Sequence, residues 1–119
     1  MNKCIMVVDD EPDNITTVQA VLEANKYKVI SASNGDECLE KIKSGEKPDL
    51  VLMDIMMPGT PVSKIIPKLG DVKVAYLSVV RTSEAEKEDL MKSKNIVGFI
   101  QKPFDVDELL EKVNKLVEK

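Results

Sequence analysis

The chain has 119 residues, of which 43% are hydrophobic and 32% are charged, and its formal net charge is −4. This length and composition fit one globular domain that can bury a core without disulfides or a structural metal. The acidic balance argues against a nucleic-acid or anionic-membrane surface, and a chain with no histidine and two cysteines, Cys4 and Cys38, is a poor candidate for a zinc site.

Five short apolar runs alternate with helical patterns along the chain. The runs cover residues 4–8, 28–32, 50–53, 72–77 and 97–100, and each is rich in Val, Ile, Leu or Met. The first, third and fourth are nearly continuous rather than alternating, which is typical of strands covered on both faces in a parallel sheet. None is long enough for a membrane span or a signal peptide, so we expect a cytoplasmic protein.

Helical spacing fills the gaps between the first three runs. The first helix is predicted to begin near Pro12, which suits a first-turn position, and the second to stop at Gly45. Their apolar positions recur every three or four residues, at Ile15, Val18 and Leu22 in the first and at Cys38, Leu39 and Ile42 in the second.

The segment 59–70 carries the weakest helical pattern, since Pro61 and Pro67 interrupt it. Proline removes a backbone donor and clashes with the preceding turn, so we expect at most a short, irregular helix there.

Two further helices are predicted in the last third of the chain. Thr82 or Ser83 can cap the first of them, and Asp105 with Glu108 three residues later forms a capping-box-like start for the second. The C-terminal helix has the clearest apolar stripe, at Leu109, Leu110, Val113, Leu116 and Val117.

The alternation of strands and helices with short connections predicts an α/β fold. We expect a doubly wound, five-stranded parallel sheet with helices on both faces. We take the strand order to be 2-1-3-4-5, the flavodoxin-like one of the common doubly wound orders. It is expected to form a single domain over residues 1–119 without an output domain.

Polar residues lie at the carboxyl ends of four predicted strands. Asp9 and Asp10 end the first, Asp54 the third and Ser78 the fourth, and Lys102 follows the fifth. In open α/β sheets, ligands bind beyond the carboxyl ends of the strands, where the strand order reverses. In the order 2-1-3-4-5 this point lies between strands 1 and 3, so these five groups are expected to share one site.

Each of these residues alone has an ordinary explanation, as a turn or cap aspartate, a loop hydroxyl or a solvated lysine. Together, three converging carboxylates would repel one another, and a divalent cation with oxygen ligands, Mg²⁺ or Mn²⁺, would relieve the repulsion. A metal, a carboxylate, a hydroxyl and an ammonium suit phosphoryl transfer to a carboxylate. Asp54 would attack, while Ser78 and Lys102 contact the phosphoryl oxygens.

The chain resembles the receiver domain of two-component response regulators, in particular the single-domain chemotaxis type. The stretches VVDDEPDN, VLMDIMMPG, YLSV and FIQKPF match the family in order, over essentially the whole length. The strand order 2-1-3-4-5 rests partly on this resemblance, since receiver proteins also have it. The resemblance implies that Asp54 accepts a phosphoryl group from a sensor histidine kinase or a phosphotransfer protein. It further implies that Asp10 binds Mg²⁺ directly and that Asp9 often acts through water.

By the same resemblance, Met56 lends its backbone carbonyl to the metal, Ser78 is the hydroxyl that turns toward the phosphoryl group, and Lys102 is the site lysine. Phe99 matches the aromatic switch position, although a buried strand aromatic is part of the core in most proteins, so both interpretations stay open. A switch would alter a face that binds an unidentified downstream protein. No nucleic-acid or membrane partner is expected.

Two features depart from the family. The segment 59–70 is several residues short, which leaves open the third helix and any partner surface on it. Val79 stands where the family often has alanine or glycine, and its bulk would limit access to the site.

Other functions compete with a non-enzymatic, phosphorylation-activated module. A Mg²⁺-dependent phosphohydrolase with an aspartate nucleophile usually has a second acid two residues after it, where this chain has Met56. A phosphorylation-independent scaffold would not need Ser78, Lys102 and a complete acidic set. A dinucleotide-binding module is poorly supported, because no GxGxxG pattern follows the first strand.

Overall fold

The computed structural model describes residues 3–54, 62–78, 95–101 and 105–118, and the structural statements below concern those residues. They include a five-stranded parallel sheet in the order β2-β1-β3-β4-β5, so the predicted doubly wound fold and its strand order are confirmed. The strands are β1 (Cys4–Val8), β2 (Lys28–Ala32), β3 (Leu50–Asp54), β4 (Val74–Ser78) and β5 (Ile96–Gln101).

The helices within the described ranges are α1 (Pro12–Ala24), α2 (Gly35–Lys43), α3 (Val62–Ile65) with a 3₁₀ turn directly after it (Ile66–Leu69), and α4 (Val106–Glu118). The helix predicted after the fourth strand, with its cap at Thr82 or Ser83, lies outside the described residues, as does Val79.

The local signals for helix ends are confirmed where they can be seen. Pro12 is the first residue of α1, and Gly45 follows the end of α2 with a φ of 117°, a conformation that favours glycine. Asp105 caps α4, because its Oδ1 accepts a hydrogen bond of 2.7 Å from the backbone N–H of Glu108.

Three strands differ from the predicted ranges. β3 is one residue longer than its predicted run, because it includes Asp54. β4 begins at Val74 rather than at residue 72, because the Val72 N–H is directed back to the carbonyl of Leu69 at 3.5 Å, closing the 3₁₀ turn. β5 is one residue longer at each end than predicted, and its last residue, Gln101, pairs with Ser78.

Helices cover both faces of the sheet, as predicted. On one face, side chains such as Met6, Val51 and Tyr76 pack against α2, α3 and the 3₁₀ turn. On the other, alternate residues of the same strands, such as Leu52 and Leu77, pack against α1 and α4. This alternation follows from the two-residue period of a strand, and it explains why the strand sequences are apolar on both sides.

The proline-broken segment is short and irregular, as predicted, yet it belongs to the core. Ile65, Ile66 and Leu69 are buried, and Pro67 lies in the first turn of the 3₁₀ helix. The side chain of Asn95, at the start of β5, donates a hydrogen bond of 3.3 Å to the carbonyl of Ile66. The segment is therefore fixed to the sheet by a buried polar contact as well as by apolar packing.

The cysteines behave as small core or near-core side chains. Both are free, Cys38 is buried and Cys4 is partly buried. Burial raises the pKa of the Cys38 thiol to about 12, so it stays protonated at neutral pH. Across the described ranges, none of the helices combines the length and apolar character needed to cross a bilayer.

Candidate functional site

Three carboxylates meet at the carboxyl edge of the sheet. Asp9 and Asp10 directly follow β1, and Asp54 is the last residue of β3. β1 and β3 are neighbours, with Val8 paired to Met53, so Asp9 and Asp54 are the next residues along two adjacent strands. One carboxylate oxygen from each of the three aspartates lies within 4.8 Å of the others. The strand register alone brings two of these groups together, as the sequence predicted.

Two of the three carboxylates are removed from bulk water. Asp9 is 2% exposed and Asp54 is 7% exposed, whereas Asp10 is exposed. Close, buried carboxylates are costly unless hydrogen bonds, cations or a metal offset their charge. Such a cluster is therefore expected where the fold holds a ligand, and its exposed member, Asp10, lets solvent and ions reach it.

Asp9 is held in place from two sides. Its backbone N–H donates to the carbonyl of Ala32 on β2 at 3.1 Å, and its Oδ1 accepts from the backbone N–H of Glu11 at 3.0 Å. Of the two ordinary explanations of this residue, the turn is observed, whereas the cap is not, because Glu11 is the N-cap residue of α1 and no side chain caps this helix. A carboxylate has two oxygens with about four lone-pair directions in total, so this bond leaves capacity for a further partner.

The donor set fits a hard divalent cation. Mg²⁺ prefers oxygen ligands at about 2.0–2.1 Å, so two directly bound oxygens can lie at most about 4.2 Å apart. A cluster whose oxygens lie within 4.8 Å of one another is compatible with one such ion, either with all three bound directly or with a water between the ion and one aspartate. The residues present therefore fit Mg²⁺.

The other predicted site residues are only partly within the described chain. Ser78 ends β4, one residue beyond Leu77, which pairs with Asp54. Its backbone thus lies at the same sheet edge as the carboxylates. Met56 and Lys102 lie outside the described residues, so their predicted roles are not tested here.

Phe99 lies in the middle of β5, opposite Tyr76 of β4. It is partly buried, and the two rings make an edge contact with centroids 6.0 Å apart and planes inclined by 61°. Sequence reasoning treated Tyr76 only as a strand residue and missed this contact. Strand pairing could have suggested it, but the register between β4 and β5 shifts at Val74/Ala75, and no sequence pattern predicts that shift.

Comparisons with known proteins agree with this geometry. A family model described as the response regulator receiver domain matches residues 5–114. The chain is 34% identical over 119 residues to the alkaline phosphatase synthesis transcriptional regulatory protein PhoP of Bacillus subtilis, covering 98% of this chain and 49% of that protein. The chain thus spans about half the length of PhoP. It is 30% identical to sporulation initiation phosphotransferase F of the same organism, covering 97% of this chain and 94% of that one.

A solved structure adds a ligand to the comparison. The response regulator TrrA of Thermotoga maritima, determined in complex with Mg²⁺ and BeF, superposes with a TM-score of 0.81 at 34% identity, covering 96% of this chain and 98% of that one. With the parallel sheet and its acidic edge, these matches show that the chain belongs to the response regulator receiver domain family, the signalling domain of two-component systems. The resemblance inferred from the sequence is confirmed.

Proposed function

We propose that the protein is a phosphorylation-activated switch in which Asp54 accepts a phosphoryl group from a histidine kinase or a phosphotransfer protein. The observation that carries the proposal is the cluster of three carboxylate oxygens, within 4.8 Å of one another, at the end of β3. Mg²⁺ would be held there by Asp9, Asp10 and Asp54, together with the backbone carbonyl of Met56.

The chemistry assigns a role to each residue. A carboxylate oxygen of Asp54 attacks phosphorus and forms an acyl phosphate, while the bond from phosphorus to the donor's nitrogen breaks and its electron pair returns to that nitrogen. Bound Mg²⁺ offsets negative charge on the phosphoryl oxygens. The ammonium of Lys102 and the hydroxyl of Ser78 donate hydrogen bonds to the same oxygens. The hydrogen bond from the Glu11 N–H would keep the Asp9 carboxylate in position beside Asp54.

The proposal extends to the protein's context. Residues 1–119 form a receiver domain that acts in the cytoplasm and signals to a protein partner without being an enzyme. The switch passes through Ser78 and Phe99 to the face that includes β5 and α4. The similarity to phosphotransferase F, whose name refers to phosphotransfer and which is covered over 94% of its length, supports a phosphorylated role.

Labelling with a small phosphodonor tests the phosphoacceptor. The protein is incubated with acetyl phosphate and Mg²⁺, and modified peptides are mapped by mass spectrometry. We expect one phosphoryl group per chain, on Asp54, and none when Mg²⁺ is chelated or in Asp54→Asn. The matched control is Asp71→Asn, an exposed aspartate in the turn before β4, which should be labelled like the wild type. Labelling at another residue, or none, would overturn the proposal.

The same reaction separates the competing functions. A phosphohydrolase would release many phosphate ions per chain from the donor in minutes, whereas a receiver releases phosphate no faster than its own acyl phosphate hydrolyses. A phosphorylation-independent scaffold would bind its partner equally well with and without the donor.

A further inference from the structure

Tyr76 and Phe99 form a ring pair that links two neighbouring strands. They are register partners between β4 and β5, and both belong to the core on the α2 and α3 face of the sheet. Their centroids are 6.0 Å apart with an interplanar angle of 61°. This is an edge-to-face arrangement, in which the positive edge of one ring meets the negative face of the other, and it adds attraction beyond the burial of area.

The two rings differ in how firmly they are held. Tyr76 is 1% exposed, and its other strand neighbour is the fully buried Met53 of β3. Phe99 is only partly buried. A ring enclosed in a close-packed core cannot change rotamer without displacing its neighbours, whereas a ring at the core margin can. Phe99 is therefore the ring of the pair with more room to change rotamer, whereas Tyr76 is held by its neighbours.

Tyr76 also lies close to the proposed site along the chain. It precedes Ser78 by two residues on β4, and Leu77 between them pairs with Asp54. If a change at the site displaces the end of β4, the displacement therefore affects Tyr76 before it affects Phe99. No other aromatic residue in the described part of the chain is a strand neighbour of Phe99.

We propose that Tyr76 is a positioning residue for the switch, because its edge-to-face contact holds Phe99 in the partly buried orientation seen in the structure. The strength of this contact then sets the fraction of molecules in which Phe99 has moved inward before phosphorylation. The inference rests on the proposed role of Phe99 in a switch driven from Asp54. Activation then has to break a specific ring contact as well as move a side chain.

The size of the effect follows from the contact. An edge-to-face pair of this kind shifts a two-state equilibrium by about 2- to 12-fold when it is lost. Replacing Tyr76 by an aliphatic residue removes the contact that stabilises the partly buried orientation of Phe99. The ratio of molecules with Phe99 inward to molecules with Phe99 partly buried should then rise by this factor. A ligand that binds the inward state should then bind more tightly by up to the same factor.

The test follows the Phe99 ring by NMR during titration with beryllofluoride and Mg²⁺. The chain has two phenylalanines, so the ring signal is readily assigned with a Phe99→Leu variant. In Tyr76→Leu without beryllofluoride, we expect the Phe99 signal to shift toward its beryllofluoride-bound position, and half-saturation to need about 2- to 12-fold less beryllofluoride. If Tyr76→Leu folds poorly, Tyr76→Met preserves more volume and should shift the signal in the same direction.

Two controls separate positioning from general loosening of the core. Tyr76→Phe keeps the ring and therefore the ring contact, so the Phe99 signal should stay at its wild-type position whatever the loss of the hydroxyl costs in stability. Val74→Ala removes buried volume from the same core at the far end of β4, and should lower stability without moving the Phe99 signal. Wild-type behaviour of both Tyr76→Leu and Tyr76→Met would overturn the inference, as would an equal shift in Val74→Ala.

Failure of the wider proposal would look different. If beryllofluoride binds the wild type but leaves the Phe99 signal unmoved, Phe99 is a core residue and Tyr76 positions no switch, while Asp54 can still be the phosphoacceptor. If beryllofluoride with Mg²⁺ does not bind the wild type at all, and acetyl phosphate does not label Asp54, the proposed function itself is wrong and the inference fails with it.

Discussion

At the scale of single residues, the carboxylate of Asp54 at the end of a buried strand is explained by what surrounds it. It lies with Asp9 and Asp10 in a cluster whose carboxylate oxygens are within 4.8 Å of one another. Like charges this close repel by an amount that depends on how well water reaches them, and two of the three groups are buried. Placing them together therefore adds repulsion, which hydrogen bonds such as the one from the Glu11 N–H to Asp9 offset in part.

We expect Asp54→Asn to stabilise the metal-free protein by about 1–2 kcal/mol, because it removes one repelling charge and preserves the shape of the side chain. The free energy of unfolding, measured in urea with chelator present, tests this. Asp71→Asn makes the same change of charge outside the cluster and should leave stability within about 0.5 kcal/mol of the wild type. Equal effects of the two substitutions would mean that the cluster is not under repulsion.

Mg²⁺ should reduce the stability advantage of Asp54→Asn over the wild type. An ion that binds the native cluster and not the unfolded chain stabilises the wild type by about 1.4 kcal/mol at ten times its dissociation constant. Asp54→Asn lacks one of the charged ligands and should gain less. A melting temperature of the wild type that does not respond to millimolar Mg²⁺ would contradict the assignment of the metal site.

At the scale of elements, the irregular segment after β3 is joined to the sheet by a hydrogen bond from one buried side chain as well as by apolar packing. Asn95 is 9% exposed, and its Nδ2 donates to the carbonyl of Ile66 in the 3₁₀ turn. Asn25 makes the equivalent bond to the carbonyl of Val21 at 2.9 Å, but it is exposed. Asn95→Ala should therefore cost about 1–3 kcal/mol, since a buried carbonyl loses its donor, and Asn25→Ala about 0.5 kcal/mol or less, since water replaces the donor. Urea unfolding of the two variants measures the difference, and similar costs would show that the buried bond does not hold the segment.

The start of α2 should make stability depend on pH. The Glu37 carboxylate accepts from the Ser33 N–H at 3.1 Å and pairs with Lys41 at 3.3 Å, and its own N–H donates to the Asn34 side chain. The backbone bond from Ser33, assisted by Lys41, lowers the pKa of Glu37 below its ordinary value of 4.5. A lowered pKa contributes stability that is present above the ordinary value and is lost as pH falls through the folded value.

The stability of the wild type should therefore exceed that of Glu37→Gln at neutral pH, and the gap should close as pH falls below about 4.5. Urea midpoints over this range measure the gap. Glu40→Gln, an exposed position on the same helix, controls for the change in net charge. A gap that stays constant with pH would mean that the Glu37 charge has no part in capping α2.

At the scale of the whole molecule, the alternating strand and helix patterns were enough to predict the parallel sheet. The strand order agreed with the polar strand ends, but it rested partly on the resemblance to receiver domains. The sequence also predicted that Asp9, Asp10 and Asp54 converge, since the register of neighbouring strands fixes their backbones. It did not predict the contact between Tyr76 and Phe99. That contact depends on the irregular β4–β5 register and on packing between strands, and neither leaves a local pattern in the sequence.

The last prediction concerns packing between the sheet and the helices. On each side of the sheet, a glycine in the described part of the chain lies so close to a neighbouring side chain that an added Cβ would clash with it. A Cβ at Gly35, at the start of α2, would lie 2.8 Å from Cγ1 of Ile65, and one at Gly98, on β5, would lie 2.9 Å from Cδ2 of Leu116. Cγ1 lies in the middle of a fully buried side chain, whereas Cδ2 is a terminal methyl of a side chain that is 8% exposed and can rotate.

Gly35→Ala should therefore cost more stability than Gly98→Ala, by about 1–3 kcal/mol, because overpacking is expensive where no neighbour can yield. Urea unfolding with intact slopes measures both. Gly45→Ala is the matched contrast: its Cβ would meet nothing within 4 Å, but its φ of 117° is strained for alanine, so its cost comes from the backbone alone.

Shortening Ile65 to alanine should remove the clash in Gly35→Ala. The double variant Gly35→Ala with Ile65→Ala should therefore be more stable than the sum of the two single changes predicts, whereas Gly45→Ala with Ile65→Ala should show no such gain. Simple additivity in both pairs would show that α2 does not approach α3 as closely as the structure places it.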